Sequence, residues 1–104
     1  MQETIIVQPD ELLFRVNQMR EEQYRLVQIS VTKKESLDLL YSFAKDLELV
    51  HLRLDVAEDQ EIESISHIYS YAFLYENELK DLFDVKVRNI TVDFKGNLYK
   101  IKRS

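Results

Sequence analysis

With 104 residues, a net charge of −5, 45% hydrophobic and 32% charged side chains, the chain has the length of one domain and the apolar content to bury a core. It contains no cysteine, which excludes disulfides, thiolate zinc sites, iron–sulfur ligation and cysteine nucleophiles within it. No apolar run approaches the ~20 residues of a membrane span, and residues 1–9 lack the basic start of a signal peptide. The expectation is a soluble protein, or one held at a membrane only through partners.

The charge is unevenly placed. Residues 1–54 hold 7 basic and 9 acidic groups, residues 55–84 hold 1 and 9, and residues 85–104 hold 6 and 1. An acidic middle and a basic tail suit oriented docking or intramolecular pairing. A sequence pI near 5.0 argues against nucleic acid as a partner.

Pro9, Asp10 and Glu11 form a helix start, with proline at the first helical position and acids at the positive end of the dipole. Leu12, Leu13, Val16 and Met19 follow at helical spacing, so a helix is predicted over residues 9–22. The period then changes to two. Val27, Ile29 and Val31 alternate with Gln28, Ser30 and Thr32, and Val50, Leu52, Leu54 and Val56 alternate with His51, Arg53 and Asp55. Between these two strands, residues 37–44 fit a helix through Leu37, Leu40, Tyr41 and Ala44, and a strand through Leu37, Leu39, Tyr41 and Phe43. A short element flanked by two strands reads better as the middle of an antiparallel meander over residues 23–56. Residues 57–63 are acidic, poorly patterned and expected to be a loop. Ser64 or Ser66 then caps a long helix over residues 64–83, carried by Ile65, Ile68, Ala72, Tyr75, Leu79 and Leu82, with room for a bend at Ser70–Tyr71. Residues 85–92 read as extended, and the segment around Gly96, the chain's one glycine, reads as a tight turn in a basic tail.

Little chemistry is available. His51 and His67 are the only histidines, too few for a triad or a histidine metal site, and one glycine cannot build a phosphate loop. Both histidines read as surface residues. Glu76, Glu78 and Asp81 are the one carboxylate cluster. Glu76 and Glu78 diverge by about 200° around a helix and cannot share a proton or a metal. Glu78 and Asp81 are neighbours, as are Glu76 and Lys80. A solvated acidic face and a partner-facing cluster are the competing readings. Tyr69, Tyr71, Phe73 and Tyr75 circle the same helix, more rings than one sheet can cover, and the surplus marks an apolar patch for a protein partner. Catalytic, cofactor-binding and metal-binding residues are therefore not expected.

The stretch with Ser64 and Ser66, the pair Ala72-Phe73, then Glu76-Asn77-Glu78 and Asp81-Leu82-Phe83 resembles the signature of the thirty-kilodalton subunit family of respiratory complex I. Asn77 stands where the family usually has arginine, which looks more like the short subunit of Ech-type energy-converting hydrogenases. Asp84 stands where the family has glycine, which puts the usual tight helix exit in question, and no His-Pro-Leu-Arg-Lys-Asp tail follows. The resemblance implies an α+β fold in a single domain over residues 1–104. An antiparallel three-stranded meander is covered by an N-terminal helix and a long C-terminal helix, with a short extended or hairpin tail. It also implies a non-catalytic accessory subunit, without cofactor, on the cytoplasmic side of a membrane complex. The implied partners are a nickel–iron-hydrogenase-like large subunit and a small iron–sulfur subunit, with Tyr75, Glu76, Glu78, Asp81 and Phe83 as interface candidates. The alternative is a free-standing interaction module or homodimer of the same fold.

Overall fold

Nine elements make up the computed structural model, which describes residues 2–57 and 59–92. In chain order they are β1 (Gln2–Val7), a 3-10 turn (Pro9–Glu11), α1 (Leu12–Glu21), β2 (Arg25–Lys33), β3 (Leu37–Lys45), β4 (Glu48–Val56), β5 (Glu61–Glu63), α2 (Ala72–Phe83) and β6 (Lys86–Arg88).

The meander is present, and residues 37–44 are strand: β2, β3 and β4 pair antiparallel. The sheet is nevertheless not three-stranded. β1 adds to the far side of β4 in parallel, giving the order β1-β4-β3-β2. A parallel partner needs a crossover, and here α1 and the β2–β3 hairpin lie between the paired strands. Nothing local in residues 2–7 announces that pairing.

Leu37, Leu39, Tyr41 and Phe43 of β3, with Val50, Leu52, Leu54 and Val56 of β4, project into one core with Leu12, Val16 and Met19 of α1 and Ala72 and Leu79 of α2. Both helices therefore cover the same face, and the other face stays open. On β2 the inward residues are Leu26, Ile29 and Val31, so that of the Val27-Ile29-Val31 series only Val27 departs. A bulge between Leu26 and Gln28 resets the alternation and leaves Val27 39% exposed.

Three further expectations are corrected. The second helix is not long: it begins at Ala72, and residues 66–71 are turns and bends. Its N-cap, Tyr71, makes no side-chain capping bond, so neither serine caps it. Residues 57–63 are not all loop, because β5 pairs in parallel with β6, Ile62 opposite Val87. The turn around Gly96 and most of the basic tail lie outside the described residues.

The exit of α2 is kept despite the missing glycine. Asp84 takes the left-handed conformation (φ 57°), and the Val85 amide reaches back to the Leu79 carbonyl at 3.2 Å. Aspartate tolerates this region better than most residues but carries both a Cβ penalty and a negative charge at the negative helix end. Asp84→Gly is therefore expected to stabilise the chain by about 0.5–1 kcal/mol. A thermal melt should show the midpoint rising by several degrees, and a fall would contradict the cap.

Candidate functional site

The turns before α2 are built around one buried carboxylate. Residue 64 is tied to the end of β6, its amide donating to the Arg88 carbonyl at 2.9 Å. From there the Ser64 hydroxyl donates to Glu76 Oε1 at 2.6 Å, and the Ile65 amide donates to Glu76 Oε2 at 2.8 Å. Ser66 joins through its hydroxyl, 2.6 Å from Ser64 Oγ, and accepts the Thr91 amide at 3.0 Å. This explains the late helix start: Glu76 and the two serines take up the amides and hydroxyls that would have served a longer helix.

Glu76 is fully buried. Burial pushes its carboxyl up to about 7, against the opposing pull of the bonds from Ser64 and Ile65. The Tyr41 hydroxyl is also buried and has no hydrogen-bond partner among the described residues. Burial, and then the charge of Glu76, raise its pKa well above the usual value. Glu76 is thus an internal strut and not a surface acid.

The tyrosines that circle this segment have a common use. β2 is an edge strand, so its outer backbone groups have no strand neighbour. The Tyr69 hydroxyl donates to the Tyr24 carbonyl at 2.6 Å, and that of Tyr75 to the Val27 carbonyl at 3.0 Å. The Tyr71 hydroxyl donates to the Leu26 carbonyl at 2.8 Å and accepts the Leu26 amide at 3.1 Å. Tyr69 also packs its ring on Phe43, centroids 5.5 Å apart. Rings placed on several sides of a helix thus converge, because two of the three precede the helix and approach β2 from the turn.

The remaining interface candidates divide by face. Phe83 packs against the core, and Tyr75 is half-buried by its bond to β2. Asn77 is buried, its amide donating to the Phe73 carbonyl at 2.7 Å and the Val92 carbonyl at 2.8 Å. At the usual arginine position it therefore anchors the chain beyond β6. Glu78 and Asp81 are half-buried, with one carboxylate oxygen of Asp81 fully buried. Leu82, expected in the core stripe, is 55% exposed, and Leu74, about two turns earlier on α2, is 40% exposed. The outer side of α2 is therefore apolar with acids interspersed, a feature that the helical spacing hid by assigning Leu82 inward.

The open sheet face is polar. Arg53 forms a two-point ion pair with Asp38 (3.0 and 2.7 Å), and Ser42 meets His51 Nδ1 at 2.8 Å. His67 is exposed, its Nε2 3.2 Å from the Asn89 carbonyl. Among the described residues no group of three or more His, Cys, Asp or Glu could hold a metal ion, and no helix is long and apolar enough to cross a membrane.

The pattern defining the family described as "Respiratory-chain NADH dehydrogenase, 30 Kd subunit" matches residues 5–93. Among solved structures, the fold is similar to a chain of the membrane-bound sulfane sulfur reductase, an archaeal respiratory membrane complex. The TM-score is 0.76 at 18% identity, covering 91% of the present chain and 62% of that one. The present chain thus spans less than two-thirds of that neighbour's length, and the likeness is one of fold. No curated protein matches.

Proposed function

Because this chain belongs to the family of the respiratory-chain NADH dehydrogenase 30 kDa subunit, we propose that it is a non-catalytic accessory subunit of a membrane-bound redox complex. In this reading it docks through the outer side of α2 on a nickel–iron-hydrogenase-like large subunit, near the small iron–sulfur subunit, on the cytoplasmic side. The Ech-type hydrogenases are the preferred assembly, on the strength of Asn77 at the usual arginine position. The chain itself turns over no substrate and holds no cofactor.

The observation that carries the docking face is the split within the family signature. Glu76, Asn77 and Leu79 are spent on the interior, whereas Leu74 and Leu82 are left exposed around Glu78 and Asp81. An outer apolar stripe on a helix that already has a core face suits a partner. Glu78 and Asp81 fit the polar part of such a contact, where a charge pair buried on docking costs roughly 3–5 kcal/mol to break from one side.

Leu82→Glu, Glu78→Ala and Asp81→Ala are expected to leave the melting temperature of the isolated chain within a few degrees of wild type. Each should weaken capture of the co-expressed large subunit, Leu82→Glu by about tenfold or more. Undiminished capture by all three folded variants would refute this docking face.

A further inference from the structure

Beyond the outer side of α2, a second surface stands out in this acidic chain. A cleft of about 710 Å3 opens where the end of α1, the start of β2 and the turns before α2 meet, with Arg20, Arg25 and His67 among its lining residues and Tyr24, Tyr69 and Tyr71 as ring walls. Among the described residues no aspartate or glutamate lines it, and the acid nearest a wall, Glu48, is occupied by the Tyr24 hydroxyl at 2.6 Å. Glu22, close in sequence, instead lines the groove on the other side of α1, with Glu3 and Arg15.

Arg15, in the groove with Glu3 and Glu22, is held by Gln18, whereas the two arginines of the cleft have no acid among the described residues on their shared wall. Arg53 is paired with Asp38 and Arg88 with Glu63. Neither Arg20 nor Arg25 has a carboxylate partner among the described residues, and the Arg20 guanidinium instead rests over the Tyr69 ring, 5.9 Å from its centroid. In a chain of net charge −5, carboxylates are in excess, so two arginines left without one on a shared wall is a local inversion of the charge. The walls are also set in advance. Hydroxyls of Tyr69 and Tyr71 are held by the Tyr24 and Leu26 backbone, so a ligand need not order those rings. Tyr71 is both a wall and the residue before the first turn of α2, which adds the positive end of that helix dipole.

We propose that this cleft binds an acidic, extended segment of a protein partner, its carboxylates taken by Arg20 and Arg25 and its body lying on the tyrosine rings. Guanidinium groups present a planar fork suited to carboxylate. The cleft is broad and open, and among the described residues no glycine-rich backbone loop lines it to wrap a phosphate, so an extended chain fits better than a small anion.

The test uses the isolated chain and so stands apart from docking of α2 on the large subunit. Hexaglutamate is titrated into 15N-labelled protein and followed by NMR, with hexaglutamine, inorganic phosphate and ATP as comparison probes. The expected result is saturable, salt-sensitive shifts of the amides of Arg20, Arg25, His67 and Tyr71 with hexaglutamate and none with hexaglutamine. Arg25→Gln, which leaves the contact of Arg20 with Tyr69 in place, should weaken binding several-fold, and Arg20→Gln/Arg25→Gln about tenfold or more. Absence of saturable shifts in the wild type, shifts centred on Leu74 and Leu82, tighter binding of phosphate or ATP at the cleft, or unchanged affinity in both folded variants would each overturn the proposal. A silent cleft, found while Leu82→Glu still abolishes pull-down of the large subunit, would leave the docking of α2 intact and remove only this site.

Discussion

Glu76→Gln is expected to stabilise the folded chain at pH 8 and to flatten its stability between pH 8 and pH 5. In the folded state the carboxyl titrates at about 7, against an ordinary value of 4.5. The folded chain therefore binds this proton more tightly than the unfolded chain. The contribution grows as pH falls through 7, is complete below 4.5, and is absent well above 7. A shift of that size corresponds to roughly 3 kcal/mol in full, most of it gained between pH 8 and pH 5. Glu63 opposes it: its bonds from Asn89 and Arg88 hold its pKa below the usual value, so its smaller, solvent-screened contribution is lost as pH falls. The difference between wild type and Glu76→Gln isolates the buried group. Urea unfolding at pH 5, 6, 7 and 8 measures it, and parallel curves for the two proteins would refute the assignment. Glu76→Ala should show the same flattened pH dependence but be less stable than Glu76→Gln at each pH, by about 1–3 kcal/mol, because the Ser64 hydroxyl and Ile65 amide are left buried without their acceptor.

The second large effect lies at the edge of the sheet. Replacing Tyr69, Tyr71 and Tyr75 together by phenylalanine keeps the rings but removes four bonds to β2 and the residue before it. At about 1 kcal/mol net for each bond, less where water can replace the tyrosine, the expected loss is ~2–4 kcal/mol. The Leu26 amide, now held by the Tyr71 hydroxyl, should exchange with solvent faster by at least the same factor as the global destabilisation. An exposed edge should also make the variant more prone to associate through β2. Single Tyr→Phe changes rank the contributions, with Tyr69, the most buried, expected to cost the most. A triple variant as stable as wild type would show that the tyrosines serve only as apolar bulk.

Much of the protein was legible in the amino-acid order because its signals are local. Proline followed by two acids set the first helix, and the alternations at Val50, Leu52, Leu54 and Val56 set β4, since a strand with one buried face must alternate. The family signature was legible for the same reason: fixed residue types at fixed spacing survive without any knowledge of the fold. What it could not tell is which signature residues face outward. Glu76 carries a charge and so reads as surface, yet it is interior because Ser64 and Ile65, twelve and eleven residues earlier, turn their donors on it. Leu82 has the spacing of a core residue but is exposed, because Leu79 and Phe83 of the same stretch take the inward side.

Tertiary structure decided the rest wherever the partner lies far along the chain. β1 finds β4 across more than forty residues, and β5 finds β6 across the whole of α2, so neither pairing leaves a mark on its own short segment. The shortening of α2 has the same origin. Residues 64–71 have adequate helical spacing, but intrinsic preference is worth only tenths of a kcal/mol per residue and yields to a buried carboxylate that needs donors and an edge strand that needs partners. The residue types of Ser64, Ser66, Tyr69 and Tyr71 determined that bonds would be made. Only the packing of α2 against β2 and β6 determined with what.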